Sequence, residues 1–360
     1  MKTYIFILGR DPHLSEKEIF SYLQARTIPY EVKEESNTFL VLKIKGIPIN
    51  HIAQALGGTI KIGEVIRNLE DLPTPTLRKL KFAISVHAGE EHDLLSELKS
   101  WFKKQGCIST LKKPKKERYL LPTEVIKHHL LTTGLEIIIA KGNIARTVAV
   151  PNILEYAKRD KKPYFDNKKV ISIRLAKMLL NYAMLKKGDI FLDPFCGTGT
   201  ILQEAALLGV RGVGVDKDAK TLEGARKNIS WLKNIYNPGV PIKLINHDAR
   251  HVKLDASFDA VVTEPLLGPF LKTRIPNKQA QKVTADLSSL YEKTMINILP
   301  KLKKGGKVVI ITPSFKTSDG QSVKVSNLFA KLPLKKDPQS PLQYNQSRGR
   351  IGREIHIFTK

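Results

Sequence analysis

The densest concentration of chemically useful residues in this 360-residue chain is the run DIFLDPFCGTGTILQEA, from Asp189 to Ala205. An apolar strand is expected to end at Asp193, a glycine-rich turn to follow, and a helix to start near Thr200. Gly197 and Gly199 let a backbone approach a ligand closely, and the free N–H groups and positive end of the helix face the same space. A nicotinamide dinucleotide is the first ligand to weigh for such a turn. The run G-T-G-T-I-L, however, lacks the third glycine of the dinucleotide fingerprint, and Asp193 would repel a pyrophosphate. An acid facing the ligand suits the amino group and sulfonium of S-adenosylmethionine instead, with Pro194, Phe195, Thr198 and Thr200 completing the loop.

Two further acids stand where the next strands should end. Asp216 closes GVGVD, just before Lys217, and a carboxylate there can accept both ribose hydroxyls. Asp248 in INHDAR, just before Ala249, can accept the adenine amino group. Either acid alone could equally cap a helix. Three acids at three successive strand ends, with the glycine turn at the first, point to one site. After FDAVVT the chain reads Glu264-Pro265-Leu266-Leu267, a loop expected at the C-terminal edge of the fourth strand, beside the same site.

The elements that must position these residues are alternating helices and apolar strands. Strands are expected at Ile190–Leu192, Gly212–Val215, Ile242–Ile245, Ala260–Val262 and Val308–Ile311, and helices at Ile201–Leu208 and Leu222–Ile235. Strands apolar on both faces and separated by helices form a mostly parallel, doubly wound sheet. A late helix over Val323–Lys331 and an edge strand over Glu354–Phe358 should finish this α/β half. The first half reads as α+β. Strand signals lie at Tyr4–Leu8, Phe39–Ile44, Phe82–Val86, Glu136–Ala140 and Thr147–Val150. A helix capped by Ser15, with Glu18 in a capping box, should run through Leu23. Others are expected over Pro48–Leu56, Leu94–Phe102 and Thr123–Leu131. The polar stretch Pro151–Lys169, with two prolines, reads as a hinge.

Sixty Lys and Arg against thirty-four Asp and Glu leave a formal charge of +26. Such a field favours polyanions, nucleic acid first and an anionic membrane surface second, although a lysine-rich chain can also owe its charge to solubility alone. No stretch approaches the ~18 apolar residues of a membrane span, and the start lacks the form of a cleaved signal peptide. Cys107 and Cys196 are too few and too far apart for a disulfide framework or a thiolate metal site, and the nine histidines show no ligand spacing. A cytoplasmic, metal-free protein is expected.

In combination, YIFILGRDPHLSEKEI, VPNILEYAKRDKKPYFD, ISIRLAKMLLNYA, DPFCGTGTILQEA and GVDKDAKTLEGARKNISWL resemble the THUMP-containing tRNA guanine-N2 methyltransferases of archaea and eukaryotes. The resemblance spans nearly the whole chain. It implies a ferredoxin-like module over 1–75, a THUMP-like RNA-binding module over 76–150, a linker over 151–170 and a Rossmann-like catalytic domain over 171–360. It also implies tRNA as partner, with no protein subunit indicated. In that family the fourth-strand loop usually reads Asp-Pro-Pro-Tyr. Here Glu264 keeps the charge but extends it by a methylene, and Leu267 keeps apolar contact but loses a stacking face. A carboxylate and a Pro-linked carbonyl can hold an exocyclic amine so that its delocalised lone pair points at a methyl group; Glu264-Pro265 could also simply end a strand.

Phosphate contacts are expected from Lys112, Lys113, Lys115, Lys116 and Arg118 in the first half, and from Arg348, Arg350 and Arg353 near the end. A solvated charge run is the alternative. Rival readings keep the chemistry but methylate another base or ribosomal RNA, or keep tRNA binding without catalysis because the loop is altered. A nicotinamide oxidoreductase is possible from the fold alone.

Overall fold

A computed structural model describes residues 1–45, 48–90, 93–115, 117–164, 171–269, 271, 273–344 and 351–360. The chain divides into two compact units, Met1–Ile19 with Thr27–Asp160, and Phe20–Arg26 with Lys161–Lys360.

The first unit is built on strands β1 (Lys2–Leu8), β2 (Tyr30–Glu35), β3 (Phe39–Ile44), β4 (Thr59–Val65), β5 (Lys79–Ala88), β6 (Ile108–Leu111), β7 (Leu135–Ala140) and β8 (Asn143–Ala149). Helices α1 (Pro12–Ala25), α2 (Ile49–Ala55), α3 (Leu94–Lys104), α4 (Pro122–Lys127) and α5 (Ile153–Arg159) accompany them. The strands form one sheet in the order β2-β3-β1-β4-β8-β7-β5-β6. The stretches 1–75 and 76–150 therefore share a sheet, joined where β4 pairs antiparallel with β8. Helix α3 shows why its residues fold as they do: Leu94, Leu98, Trp101 and Phe102 recur at helical spacing and are all buried.

Two local expectations are corrected here. Ser15 does not cap α1; it lies inside the helix, and its Oγ donates to the carbonyls of Asp11 and Gly58. Glu18, fully buried, accepts from the backbone N–H of Gly57 and Gly58, both at 2.7 Å, so it holds a turn after α2 rather than the start of α1. The expected hinge contains α5, because Asn152 Oδ1 accepts from Glu155 N and caps a seven-residue helix.

At the centre of this sheet Lys61 and Glu136 form an ion pair with both side chains fully buried. Thr147 Oγ1 donates to Glu136 Oε2 at 2.7 Å, Ser85 Oγ donates to Glu136 Oε1 at 2.5 Å, and Leu120 N donates to Ser85 Oγ at 2.9 Å. Removing one member strands the other charge out of water. Lys61→Met is expected to destabilise the fold by about 3–5 kcal/mol, and the double change with Glu136→Leu to recover most of that. Urea unfolding of both variants measures it; equal losses would refute it.

The second unit carries helices α6 (Ile173–Tyr182), α7 (Thr200–Leu207), α8 (Ala219–Tyr236) and α9 (Asn277–Ile298). Its strands are β9 (Ile190–Asp193), β10 (Arg211–Asp216), β11 (Ile242–Asn246), β12 (Phe258–Thr263), β13 (Leu302–Lys316), β14 (Ser322–Lys324), β15 (Lys335–Lys336), β16 (Leu342–Tyr344) and β17 (Ile351–Thr359). The sheet order is β11-β10-β9-β12-β13-β17-β15, with β14 on β13 and β16 on β17. Strands β9 to β13 are mutually parallel and β17 runs antiparallel to β13. This is a Rossmann-like α/β sheet whose order reverses between β9 and β12, the place where such sheets open a ligand crevice at their carboxyl ends.

Helices pack closely onto it. A Cβ on Gly214 in β10 would lie 2.6 Å from Leu202 Cδ1 of α7, so the strand needs glycine for the contact. Two expectations fail in this unit. Val323–Lys331 is not a helix: β14 pairs with β13, and Asn327 and Phe329 adopt φ of 51° and 61°, which a right-handed helix excludes. Glu354–Phe358 is not an edge strand either, since β17 is flanked by β13 on one side and by β15 and β16 on the other. Among the described residues no helix is long and apolar enough to cross a membrane.

Candidate active site

The carboxyl ends of β9, β10 and β12 bring Asp193, Asp216 and Glu264 to one edge of the second sheet. The turn after β9 is held by its own backbone: Cys196 N donates to Val215 O and Gly199 N donates to Cys196 O, each at 2.9 Å. Gly197 and Gly199 have φ of 52° and 81°, which side-chain-bearing residues adopt only under strain. Beyond the position of a Cβ on Gly197 there is open space, so the loop leaves room for a ligand against its backbone. Helix α7 starts at Thr200 and aims its first N–H groups there.

Asp193 is placed differently from the expectation of an open, ligand-facing acid. It is buried, and its Oδ1 accepts from Thr263 Oγ1 at 2.7 Å and from Phe195 N at 3.2 Å. Burial pushes its carboxyl up to about 7, and the nearby charges of Asp216 and Glu264 act in the same direction. The folded state keeps this proton up to about pH 7, whereas the unfolded chain releases it near 3.8. The stability contributed is full below the unfolded value and is lost as pH rises through the folded one. The melting temperature of Asp193→Asn should therefore rise relative to the parent between about pH 4 and pH 7; parallel profiles would refute the assignment.

Asp216 Oδ2 accepts from Gly197 N and its Oδ1 from Asp218 N, both at 2.9 Å, so this acid braces the glycine turn from the neighbouring strand. Lys217 beside it is exposed. Asp248 is engaged by Arg250, whose Nη2 lies 2.6 Å from Oδ2, and this pairing holds its carboxyl well below the usual range. Ala249 is buried, and its carbonyl accepts from Asn297 Nδ2. Pro194 is buried and Phe195 half-buried. The carbonyl of Thr198 accepts from Asn228 Nδ2 at 3.1 Å.

Several residues at the site had no role in the sequence reading. Lys162 Nζ donates to Thr200 Oγ1 at 2.7 Å in a buried contact. Asn228 brackets the backbone of Tyr164, accepting from its N and donating to its O, each at 2.9 Å. A Cβ on Gly224 would strike the Tyr164 ring at 2.3 Å, so a glycine in α8 admits the ring. The KKPYF segment that carries Lys162 and Tyr164 was legible only as part of a polar hinge.

Glu264 directly follows β12. Arg353 Nε donates to its Oε1 at 2.6 Å, and the two side chains are only 18% and 11% exposed respectively. Arg353 thus holds the loop acid, which corrects its expected use on phosphate. Pro265 is buried, Leu267 half-buried, and Leu266 is 55% exposed with its carbonyl accepting from the buried Tyr291 hydroxyl. The loop therefore offers one held carboxylate and an aliphatic tip.

In the first unit Lys112, Lys113, Lys115 and Arg118 follow the edge strand β6 on half-buried or exposed positions, while Lys116, Arg348 and Arg350 lie outside the described residues. Lys112 N donates to Phe82 O and Arg118 O accepts from Val86 N, so these basic residues follow β5 in its own direction, as the parallel β6 does. A shallow hollow beside it is lined by Lys79, Lys81, Thr110, His128, His129 and Thr133. Desolvation and then the positive charges of Lys112, Lys81 and Lys127 lower the pKa of His128, which marks this face as one where cations crowd together.

Residues 159–320 match the family model described as RMKL-like, methyltransferase domain, and residues 81–227 match one described as DNA methylase. A tRNA (guanine(10)-N2)-dimethyltransferase of Methanothermobacter thermautotrophicus is 34% identical over 160 residues, 44% of this chain and 43% of that protein. The chain thus spans less than half the length of that relative. A protein of the same name from Pyrococcus abyssi is 24% identical over 307 residues, covering 80% of this chain and 84% of its own. The crystal structure of TrmN from Thermus thermophilus superposes over 99% of both chains with a TM-score of 0.54 at 17% identity, a likeness of fold. The resemblance to tRNA guanine-N2 methyltransferases drawn from the motifs is borne out by these relatives.

Proposed function

From the premise that residues 159–320 carry an RMKL-like methyltransferase domain, we propose that the protein is an S-adenosylmethionine-dependent tRNA methyltransferase acting on the exocyclic N2 of a guanine. The observation that carries this reading is the held carboxylate of Glu264 at the fourth-strand end, on the same sheet edge as the glycine turn. The relatives named for tRNA guanine-N2 methylation support the choice of substrate.

The residues present fit the cofactor. The space over Gly197, the N-terminus of α7 and the carboxylate of Asp216 together suit a ligand with a ribose, while the buried Asp193 holds the start of the turn through Phe195 N. Bound there, the cofactor supplies an electrophilic methyl group. The chain's own residues do the rest. Asp216 takes the ribose hydroxyls, and Pro194, Phe195, Thr198 and Thr200 shape the loop. Lys217, Asp248 and Ala249 flank the adenine side, where Asp248 acts through its pairing with Arg250. Glu264 accepts an N–H of the target amine, and the carbonyl of Pro265 takes the second, so the lone pair faces the methyl group. The basic face along β5 and β6, read as THUMP-like, holds the RNA backbone, and its affinity should fall steeply with salt.

The test is incubation with radiolabelled S-adenosylmethionine and unmodified tRNA, followed by digestion. Labelled N2-methylguanosine or its dimethyl form is expected. A different labelled nucleoside would reassign the base, and bound cofactor without label would favour a tRNA-binding protein with an inactive loop.

A further inference from the structure

We propose that the antiparallel pair β16–β17 forms the second wall of the target-base pocket, with Arg353 a positioning residue for Glu264 and Tyr344 the aromatic face against the base. This rests on the reading of Glu264 as the acid that meets the amine.

Glutamate has one more rotatable bond than the aspartate usual at this place, and an unheld carboxylate would sample several positions. Arg353 fixes one oxygen, Oε1, at 2.6 Å in a largely desolvated contact and leaves Oε2 for the amine. The arginine comes from β17, where it pairs with Pro313 near the carboxyl end of β13, next to β12. Directly across from it on β16 stands Tyr344.

Cross-strand partners in an antiparallel pair project to the same face, with Cβ atoms about 4.5–5.5 Å apart. The next pair shows the alternation. Gln343 and Glu354 meet on the opposite face, with Gln343 Nε2 2.5 Å and Lys324 Nζ 2.6 Å from Glu354 Oε1. Tyr344 therefore shares the face of Arg353, at the sheet edge where the glycine turn and Glu264 lie. The half-buried tyrosine follows β17 and β13 across the sheet from β12, whose own loop tip is aliphatic, Leu266 and Leu267. A tyrosine on the Arg353 face of this edge would supply the aromatic face that the loop lacks.

The test measures kcat, tRNA KM, cofactor Kd and melting temperature in six variants. Arg353→Ala should lower kcat by ~100-fold, the cost of a misplaced group, with cofactor Kd unchanged, and Arg353→Lys should restore part of it. In a Glu264→Asp background, whose shorter carboxylate does not reach the guanidinium, adding Arg353→Ala should cost little more. Tyr344→Leu should raise tRNA KM by roughly 10-fold, as loss of a stacking face does, and Tyr344→Phe should recover it. Arg353 losses confined to melting temperature, equal costs in both backgrounds, or an indifferent Tyr344→Leu would each overturn the inference while the wild type still methylates tRNA. A wild type that binds cofactor and labels no RNA would overturn the proposed function and this inference with it.

Discussion

Glu264→Ala is expected to lower methyl transfer by ~10²–10³-fold or more while cofactor affinity stays nearly intact, the scale seen when a single preorganised polar group at a reacting centre is removed. The acid sits at the end of β12, away from the glycine turn's own hydrogen bonds, so its loss leaves the cofactor cradle in place. It also leaves the Arg353 guanidinium without its carboxylate in a largely buried position, and some stability is lost. Glu264→Gln separates the two effects. The amide oxygen can still accept from Arg353 Nε, so stability should return while the rate stays low. Single-turnover methyl transfer and cofactor titration on both variants decide it, and retained turnover in Glu264→Ala would refute the role.

Asp216→Ala should produce the opposite split, with cofactor Kd raised by about 100-fold and the rate at saturating cofactor less affected. Its carboxylate braces Gly197 N and Asp218 N in this structure, and both are charge-assisted contacts. Each such bond contributes about 1.5–3 kcal/mol, so losing the brace and the ribose contacts together easily accounts for two decades in affinity. Calorimetric titration with the cofactor measures it directly. An unchanged Kd would show that Asp216 serves only as a turn brace. A Glu264 variant with intact cofactor binding and an Asp216 variant without it would divide the site into two parts.

The sequence made the cofactor half legible because its strands are apolar on both faces and end in acids. Strand β9 and the turn after it could be read almost residue by residue. Helix α9 was missed, although Ala280, Thr284, Leu287, Tyr291, Thr294, Met295 and Ile298 are buried at helical spacing. Two threonines in that stripe weaken its apolar signal, since a hydroxyl hides as easily as it exposes. The segment 323–331 misled in the other direction, its apolar spacing being overridden by two left-handed residues and a short strand. At the site, residue types were visible and partners were not. The pairing of Glu264 with Arg353 joins residues 89 apart, and nothing in local spacing announces it. Burial of Asp193 was equally hidden, because Thr263, which donates to it, belongs to another strand.

The same separation sets an order of events in time. Strands β9, β10 and β11 are linked through α7 and α8 within residues 190–246, whereas β17 must find β13 across the chain from 316 to 351. Contacts that close long loops lose more chain entropy before any pairing compensates, and they form more slowly. A chain recovering from denaturant would thus regain its glycine turn early and the held carboxylate of Glu264 late.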